Sequence, residues 1–278
     1  SSSKRFAIWG FEEQFIVNRD GMVIINGDFS EEPFLEILQN TLENWKSSNE
    51  ELAAVGFISY DLKNFLYPHI SFRELTSTCP LLWFGKPKRV IPYEIIKMKQ
   101  KSASPFLYLK KDIPPPSEYE NTINKIKTYL KNGDSYQINY TQPKQFKLNG
   151  HSLEIYLKMR ETIRPHHGMY LNLDDLQILS FSPERFFHTS CRQIESFPMK
   201  GTRPRSHDVL IDGSLADELY CSEKDRAEHL MIVDLIRNDI GKVCEFGSVN
   251  VKDLYKIHSF ETVHQMVSQV YGKLQTSI

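Results

Sequence analysis

Along the first hundred residues, short alternating apolar runs are separated by turn signals. Arg5 to Trp9, Gln14 to Val17 and Met22 to Ile25 read as strands, and Asn18-Arg19-Asp20-Gly21 supplies the turn between the last two. The period then lengthens. Phe34, Ile37, Leu38, Leu42 and Trp45 recur at helical spacing, so a helix is expected over Phe34 to Trp45, with a start signal in Asp28 to Glu31. Ala53 to Tyr60, Leu81 to Phe84 and Arg89 to Ile96 return to strand character, and Tyr67 to Pro80 reads as a Pro-bounded loop.

Ser102 to Ser117 carries the triplet Pro114-Pro115-Pro116, the strongest linker-like feature in the chain. It places a boundary between a β-rich portion, residues 4–115, and a second portion, residues 116–278, in what reads as one intimate domain. Beyond it a helix is expected over Glu118 to Leu130, stopped by Lys131-Asn132-Gly133. Ser135 to Gln142 and Gln145 to Leu148 alternate as strands, Ser152 to Arg160 as a helix, and Gly168 to Leu173 and Gln177 to Phe181 as strands. A helix from Leu215 to Ile240 is expected to start on a capping box, Ser214 with Asp217, and to stop at Gly241. Ser248 to Leu254 and Thr262 to Val270 close the series as strands. Strands cluster and helices are inserted between the clusters without βαβ alternation, so the expected class is α+β: large, mainly antiparallel sheets flanked by helices.

Composition changes this picture little. The 278 residues are 40% hydrophobic and 25% charged, with a formal net charge of −1. No global field favours nucleic acid or an anionic membrane, so a bound anion must be held locally. Cys79, Cys191, Cys221 and Cys244 have neither CxxC nor zinc-finger spacing. No apolar run approaches the roughly 18 to 20 residues that span a bilayer, and a cytoplasmic location is expected. The chain opens on Ser1-Ser2-Ser3 without an initiating Met, which reads as a trimmed end.

Candidate chemistry concentrates in Ser182 to Arg205, SPERFFHTSCRQIESFPMKGTRPR. Two strand-like segments, Arg185 to Thr189 and Gln193 to Phe197, flank a Ser-Cys-Arg turn; paired as a hairpin, they bring Glu184 and Lys200 to the same open end. A carboxyl and an amine there can share proton-transfer and nucleophile duties. A surface hairpin ending in a solvated salt bridge is the simpler account of that spacing. Further on, at about 100° per residue, Glu228 falls among Met231, Ile232 and Leu235 on one helix face. A carboxylate on an apolar face needs a partner, either a base such as Arg226 or Lys242 or a metal; oxygen ligation suits Mg²⁺.

The blocks GDSYQINYTQ, SPERFF, PMKGTRPR, SEKDRAEHLMIVDLIRNDIGKV and TVHQMVSQVYGKL, in that order, resemble the chorismate-utilising enzyme family over Gly133 to Leu274. The family includes anthranilate synthase component I, isochorismate synthases and aminodeoxychorismate synthase component I. The resemblance implies that Glu184 is the acid/base carboxyl, that Glu228 is one of the glutamates bridged by Mg²⁺ to a substrate carboxylate, and that Gly201, Thr202 and Arg203 lie against substrate. Lys200, in Pro-Met-Lys-Gly-Thr, matches the aminodeoxychorismate branch, where the lysine attacks chorismate covalently and ammonia from a glutamine amidotransferase subunit completes the substitution. The implied product, 4-amino-4-deoxychorismate, leads to p-aminobenzoate and folate. The alternatives are anthranilate synthase component I and a catalytically incomplete chorismate-binding fragment. Lys200 would need a pKa far below its usual value of about 10.4, lowered by burial or by Arg203 and Arg205. Glu184 would need a raised one, expected from an apolar setting beside Phe181 and Phe186. His264, on an alternating strand, reads as a structural histidine. The family pattern runs on past Leu274 to a second metal-binding glutamate and a carboxylate-binding segment, so the native chain is expected to continue beyond Ile278.

Overall fold

The computed structural model describes residues 6–48, 52–72, 78–92, 105–109 and 116–276. The chain divides into two compact units, Ser1–Lys101 and Ser102–Ile278. Pro114 and Pro115 lie outside the described residues, as do Arg5 and Tyr93 to Ile96.

The first unit is one antiparallel five-stranded sheet with a helix against it. Strands β1 (Phe6–Val17), β2 (Val23–Ile25), β3 (Asp28–Ser30), β4 (Val55–Ile58) and β5 (Leu82–Pro92) are ordered β3-β2-β1-β5-β4. The two N-terminal segments expected as separate strands form the single β1. Gly10 at φ +68° and a register shift between Phe11 and Glu13 absorb the irregularity without ending the pairing with β5. The β5 segments merge in the same way. Asp28 starts no helix but belongs to the short strand β3, and helix α1 (Phe34–Ser48) begins after Pro33. Phe15, Val17, Val23, Trp45, Leu62, Leu81 and Leu82 form the core, and Phe34, Ile37, Leu38 and Leu42 of α1 pack on it. A short helix, α2 (Lys63–Leu66), follows a turn capped by Ser59.

In the second unit, β6 (Phe106–Leu109), which the Pro-rich composition hides, pairs with β7 (Phe146–Asn149). Helix α3 (Pro116–Asn132) closes on Gly133 at φ +79°, whose N–H and that of Asp134 return to Leu130 and Tyr129 carbonyls. Ser135 to Gln142 forms no strand despite its alternation. A strand needs a neighbour for its N–H and C=O groups, and among the described residues none pairs with this stretch. Helix α4 (Ser152–Ile163) packs on the hairpin of β8 (His167–Asn172) and β9 (Gln177–Ser182).

The second sheet carries the candidate site. Its spine is β14 (Val263–Lys273), with β13 (Asn250–Ser259) along one edge. Along the other edge β11 (Gln193–Ser196) and β12 (Met199–Pro204) lie end to end, and β10 (His188–Ser190) pairs outside β11. The single helix expected over Leu215 to Ile240 is two, α5 (Val209–Cys221) and α6 (Glu223–Gly241). Ser214 lies inside α5; the real starts are Asp208, which accepts from the Leu210 and Ile211 amides, and Ser222, which accepts from Asp225 N and breaks the helix. Val233 and Ile240 of α6 join Ile194, Cys244 and Val270 in the core.

Candidate functional site

The β10–β11 turn is Cys191-Arg192, both at positive φ, the backbone of a tight hairpin whose twist suits the two strands. This hairpin returns the chain so that Glu184 meets the start of β12. Glu184 Oε1 accepts the Met199 amide at 3.2 Å, and the Lys200 ammonium is close enough to act on the carboxylate. The structure thus sets the Glu184 carboxyl on the amide of the residue before Lys200. Glu184 as a residue is exposed, yet its carboxyl is partly withdrawn from water. That desolvation raises its pKa and outweighs the opposing pull of the Met199 N–H and Lys200. Phe186 does not supply this setting. Its ring is 80% exposed, against Phe187, while Phe181 packs on Tyr156.

Lys200 stands opposite Met266, and Thr202 opposite Gln265, so Gly201 is an extra residue in β12. A glycine at φ +70° in that position makes a bulge that re-aims the strand. A Cβ on Gly201 would come within 2.7 Å of Leu219 Cδ1 and 3.2 Å of Asp225 Cβ. The glycine therefore serves close packing of β12 onto the α5–α6 junction, whereas the expectation put it at a substrate approach. Thr202 is exposed. Arg203 donates to Glu218 (2.8 Å), Asp225 (3.1 Å) and the Thr202 carbonyl, tying β12 to both helices. Arg205 binds Asp212 through two nitrogens and donates to the Phe260 carbonyl. Both arginines are thus neutralised by carboxylates and do not supply Lys200 with free cationic neighbours.

Asp212 also accepts from Ser206 N and contacts His264 Nε2 at 3.0 Å, while His264 Nδ1 meets Ser259 Oγ. The Arg205 guanidinium, with the Ser206 amide and His264, holds the Asp212 carboxyl well below the usual carboxylate range. With both ring nitrogens bonded and 2% of its surface exposed, His264 is a structural residue, as its strand position suggests.

Glu228 departs from expectation. Its neighbours Met231 and Leu235 are exposed, the latter by 54%, and α6 buries the face bearing His229, Val233 and Ile240 instead. The wheel direction holds, but this apolar stripe is uncovered among the described residues. The Glu228 side chain keeps 36% of its surface and faces Lys224 at 3.9 Å. Among the described residues no group of three or more His, Cys, Asp or Glu side chains could hold a metal ion. Glu228 offers one carboxylate, which by itself does not make the implied Mg²⁺ site.

One residue acted on by Lys200 carries no sequence signal of its own: His229, next to Glu228 on α6. It is fully buried, and burial together with the Lys200 ammonium pushes its pKa down to about 4, so it is neutral at pH 7.

The chorismate binding enzyme model matches residues 1–278. The chain belongs to the chorismate binding enzyme family. Aminodeoxychorismate synthase component 1 of Salmonella typhimurium is 40% identical over 161 residues, 58% of this chain and 36% of that protein. Anthranilate synthase component 1 of Methanothermobacter marburgensis is 31% identical over 311 residues, 98% of this chain and 64% of that one. The chain thus spans between about a third and two thirds of the length of these curated relatives. Among solved structures, anthranilate synthase component I from Streptococcus pneumoniae superposes with a TM-score of 0.81 at 20% identity, covering 100% of this chain and 71% of that one, which shows the fold. The α+β class of antiparallel sheets and helices agrees with it. No helix among the described residues is long and apolar enough to cross a membrane.

Proposed function

We propose that this chain carries the Lys200–Glu184 centre of an aminodeoxychorismate synthase component I, which converts chorismate and ammonia to 4-amino-4-deoxychorismate and water. The observation that carries the reading is the meeting of Glu184 with the Met199-Lys200 segment at the β12 bulge. The Lys200 amine, in its unprotonated form, attacks C2 of chorismate while both conjugated ring double bonds shift by one position and the C4–O bond breaks. Glu184, whose partial burial favours the protonated form, gives its proton to the departing hydroxyl, which leaves as water. Ammonia then adds at C4, both double bonds shift back, and the C2–N bond to Lys200 breaks. Glu184, now ionised, takes the proton shed by the incoming nitrogen. Covalent catalysis splits one hard substitution into two allylic ones. A glutamine amidotransferase subunit would deliver the ammonia. Glu228 would contribute one oxygen ligand to a Mg²⁺ site completed by other groups.

Anthranilate synthesis is the second reading, favoured by the 31% identity to anthranilate synthase component 1 along 98% of the chain. Product analysis with chorismate, an ammonium salt and Mg²⁺ separates the two. Accumulation of 4-amino-4-deoxychorismate supports the proposal, and fluorescent anthranilate refutes it.

A further inference from the structure

Lys200 lies in an exceptional backbone segment. Pro198 precedes it, a bulge follows it, and β11 has just ended. Beyond the ladder pairs Met199–Val267 and Lys200–Met266, Ser268 adds a further tie between this segment and β14. Its amide donates to the Pro198 carbonyl at 3.3 Å, two residues before Lys200. Its hydroxyl accepts the Tyr255 amide at 3.1 Å, at the point where β13 runs through Asp253 and Tyr255 at positive φ and its pairing with β14 shifts register. The same hydroxyl shares a 2.7 Å hydrogen bond with His229 Nε2. One buried serine therefore joins the strand that carries Lys200, the irregular stretch of β13 and helix α6.

His229 holds this junction from the helix side. It is fully buried in the α6 face, and its ring lies 5.9 Å from that of Tyr255, over which the Arg226 guanidinium sits at 4.4 Å. Its Nδ1 has no hydrogen-bond partner among the described residues. A buried polar ring with half of its capacity unsatisfied carries a desolvation cost, and a leucine of similar bulk would avoid it. The bond to Ser268 is what the imidazole supplies in return. Lys200 faces the same side of the sheet as Met266, its register partner, and Met266 is two residues from Ser268 on β14.

We infer that His229 is a positioning residue: by holding the Ser268 hydroxyl it fixes the stretch of β14 whose Ser268 amide carries the Pro198 carbonyl, and through it the Lys200 amine. The role needs only the hydrogen bond and no exchange of a proton. Its catalytic consequence rests on the reading of Lys200 as nucleophile, while the positioning itself does not.

The test uses the full chain and has two readouts. The first is acetylation of Lys200 by a water-soluble N-hydroxysuccinimide acetate, measured by peptide mass spectrometry and normalised to Lys224, whose side chain is 84% exposed. The second is the split of kcat from KM in chorismate amination. His229→Leu is expected to speed Lys200 acetylation severalfold and to lower kcat by between about tenfold and a hundredfold with KM little changed, the scale of a misplaced reacting group. His229→Gln, whose amide can still bond Ser268, is expected to restore both. Ser268→Ala, which removes the hydroxyl while leaving the histidine, is expected to reproduce the leucine variant and serves if that variant fails to fold. Unchanged Lys200 acetylation in Ser268→Ala, or a glutamine variant as impaired as the leucine one, overturns the inference. Altered acetylation with no amination activity in the wild type would instead indict the nucleophile reading alone.

Discussion

Replacement of Gly201 by alanine probes the bulge on which the site depends. Two costs combine. An L-residue held in the left-handed region at φ +70° loses about 1–2 kcal/mol. The new methyl also meets Leu219 Cδ1 at 2.7 Å and Asp225 at 3.2 Å. Leu219 is 0% exposed, and Asp225 is held by Arg203, so neither steps aside freely. Overpacking of this kind costs typically about 1–3 kcal/mol. Together the penalty is about 2–5 kcal/mol, which at about 2–4 °C per kcal/mol lowers the melting temperature by roughly 5–20 °C. Gly213→Ala is the internal control. Gly213 lies within α5 with open space where a methyl would stand, so the same methyl is expected to stabilise by up to about 1 kcal/mol. Thermal unfolding followed by circular dichroism reads both. A Gly201→Ala protein that melts with the wild type, or a pair of variants that shift alike, would refute the bulge account.

Other consequences follow from the same geometry. Glu184→Gln should slow turnover by about 10² to 10⁴, and wild-type activity should fall as pH rises through the elevated Glu184 pKa, because the acid must hold its proton; an unchanged rate in the variant removes Glu184 from the chemistry. Arg203→Ala should lower stability by about 1–3 kcal/mol by stranding the part-buried Asp225 carboxylate, with denaturant unfolding as the assay; a large rise in KM for chorismate without loss of stability would return Arg203 to the substrate. Asp212, whose carboxyl is held low by Arg205, contributes stability above its ordinary pKa of about 3.8, and that contribution is lost as pH falls below it. Asp212→Asn should therefore flatten the acid side of the stability profile, and an identical profile would contradict the assignment.

Much of this was legible in the sequence where local patterns decide structure. Phe34 to Trp45 carries its helix in its spacing, and Lys131-Asn132-Gly133 its stop. The Ser-Cys-Arg turn carries its hairpin, which returns the chain so that Glu184 meets the start of β12. The failures share a physical cause: pattern reports a face or a preference, and tertiary partners settle its use. Ser135 to Gln142 alternates like a strand and has no partner strand among the described residues. Glu228 does lie beside Met231 and Leu235, yet α6 buries another face. Arg5 to Trp9 and Gln14 to Val17 read as separate strands, yet β1 runs through both, with a bulge between Phe11 and Glu13. The α5–α6 break was readable, since Ser222 with Asp225 is as good a cap as the Ser214 pair, but the two signals compete and only packing of Gly201 against the junction chooses. Arg203 and His229 could not be assigned from spacing, because their partners are 15, 22 and 39 residues away.

The claim that Lys200 is the nucleophile is tested most directly by intact-protein and peptide mass spectrometry after incubation with chorismate in the absence of ammonia. A mass increase equal to chorismate less one water, mapped to Lys200, lost in Lys200→Ala and discharged on adding an ammonium salt with release of 4-amino-4-deoxychorismate, is the predicted result. Amination at the wild-type rate by Lys200→Ala, with no adduct on the wild-type chain, would contradict it.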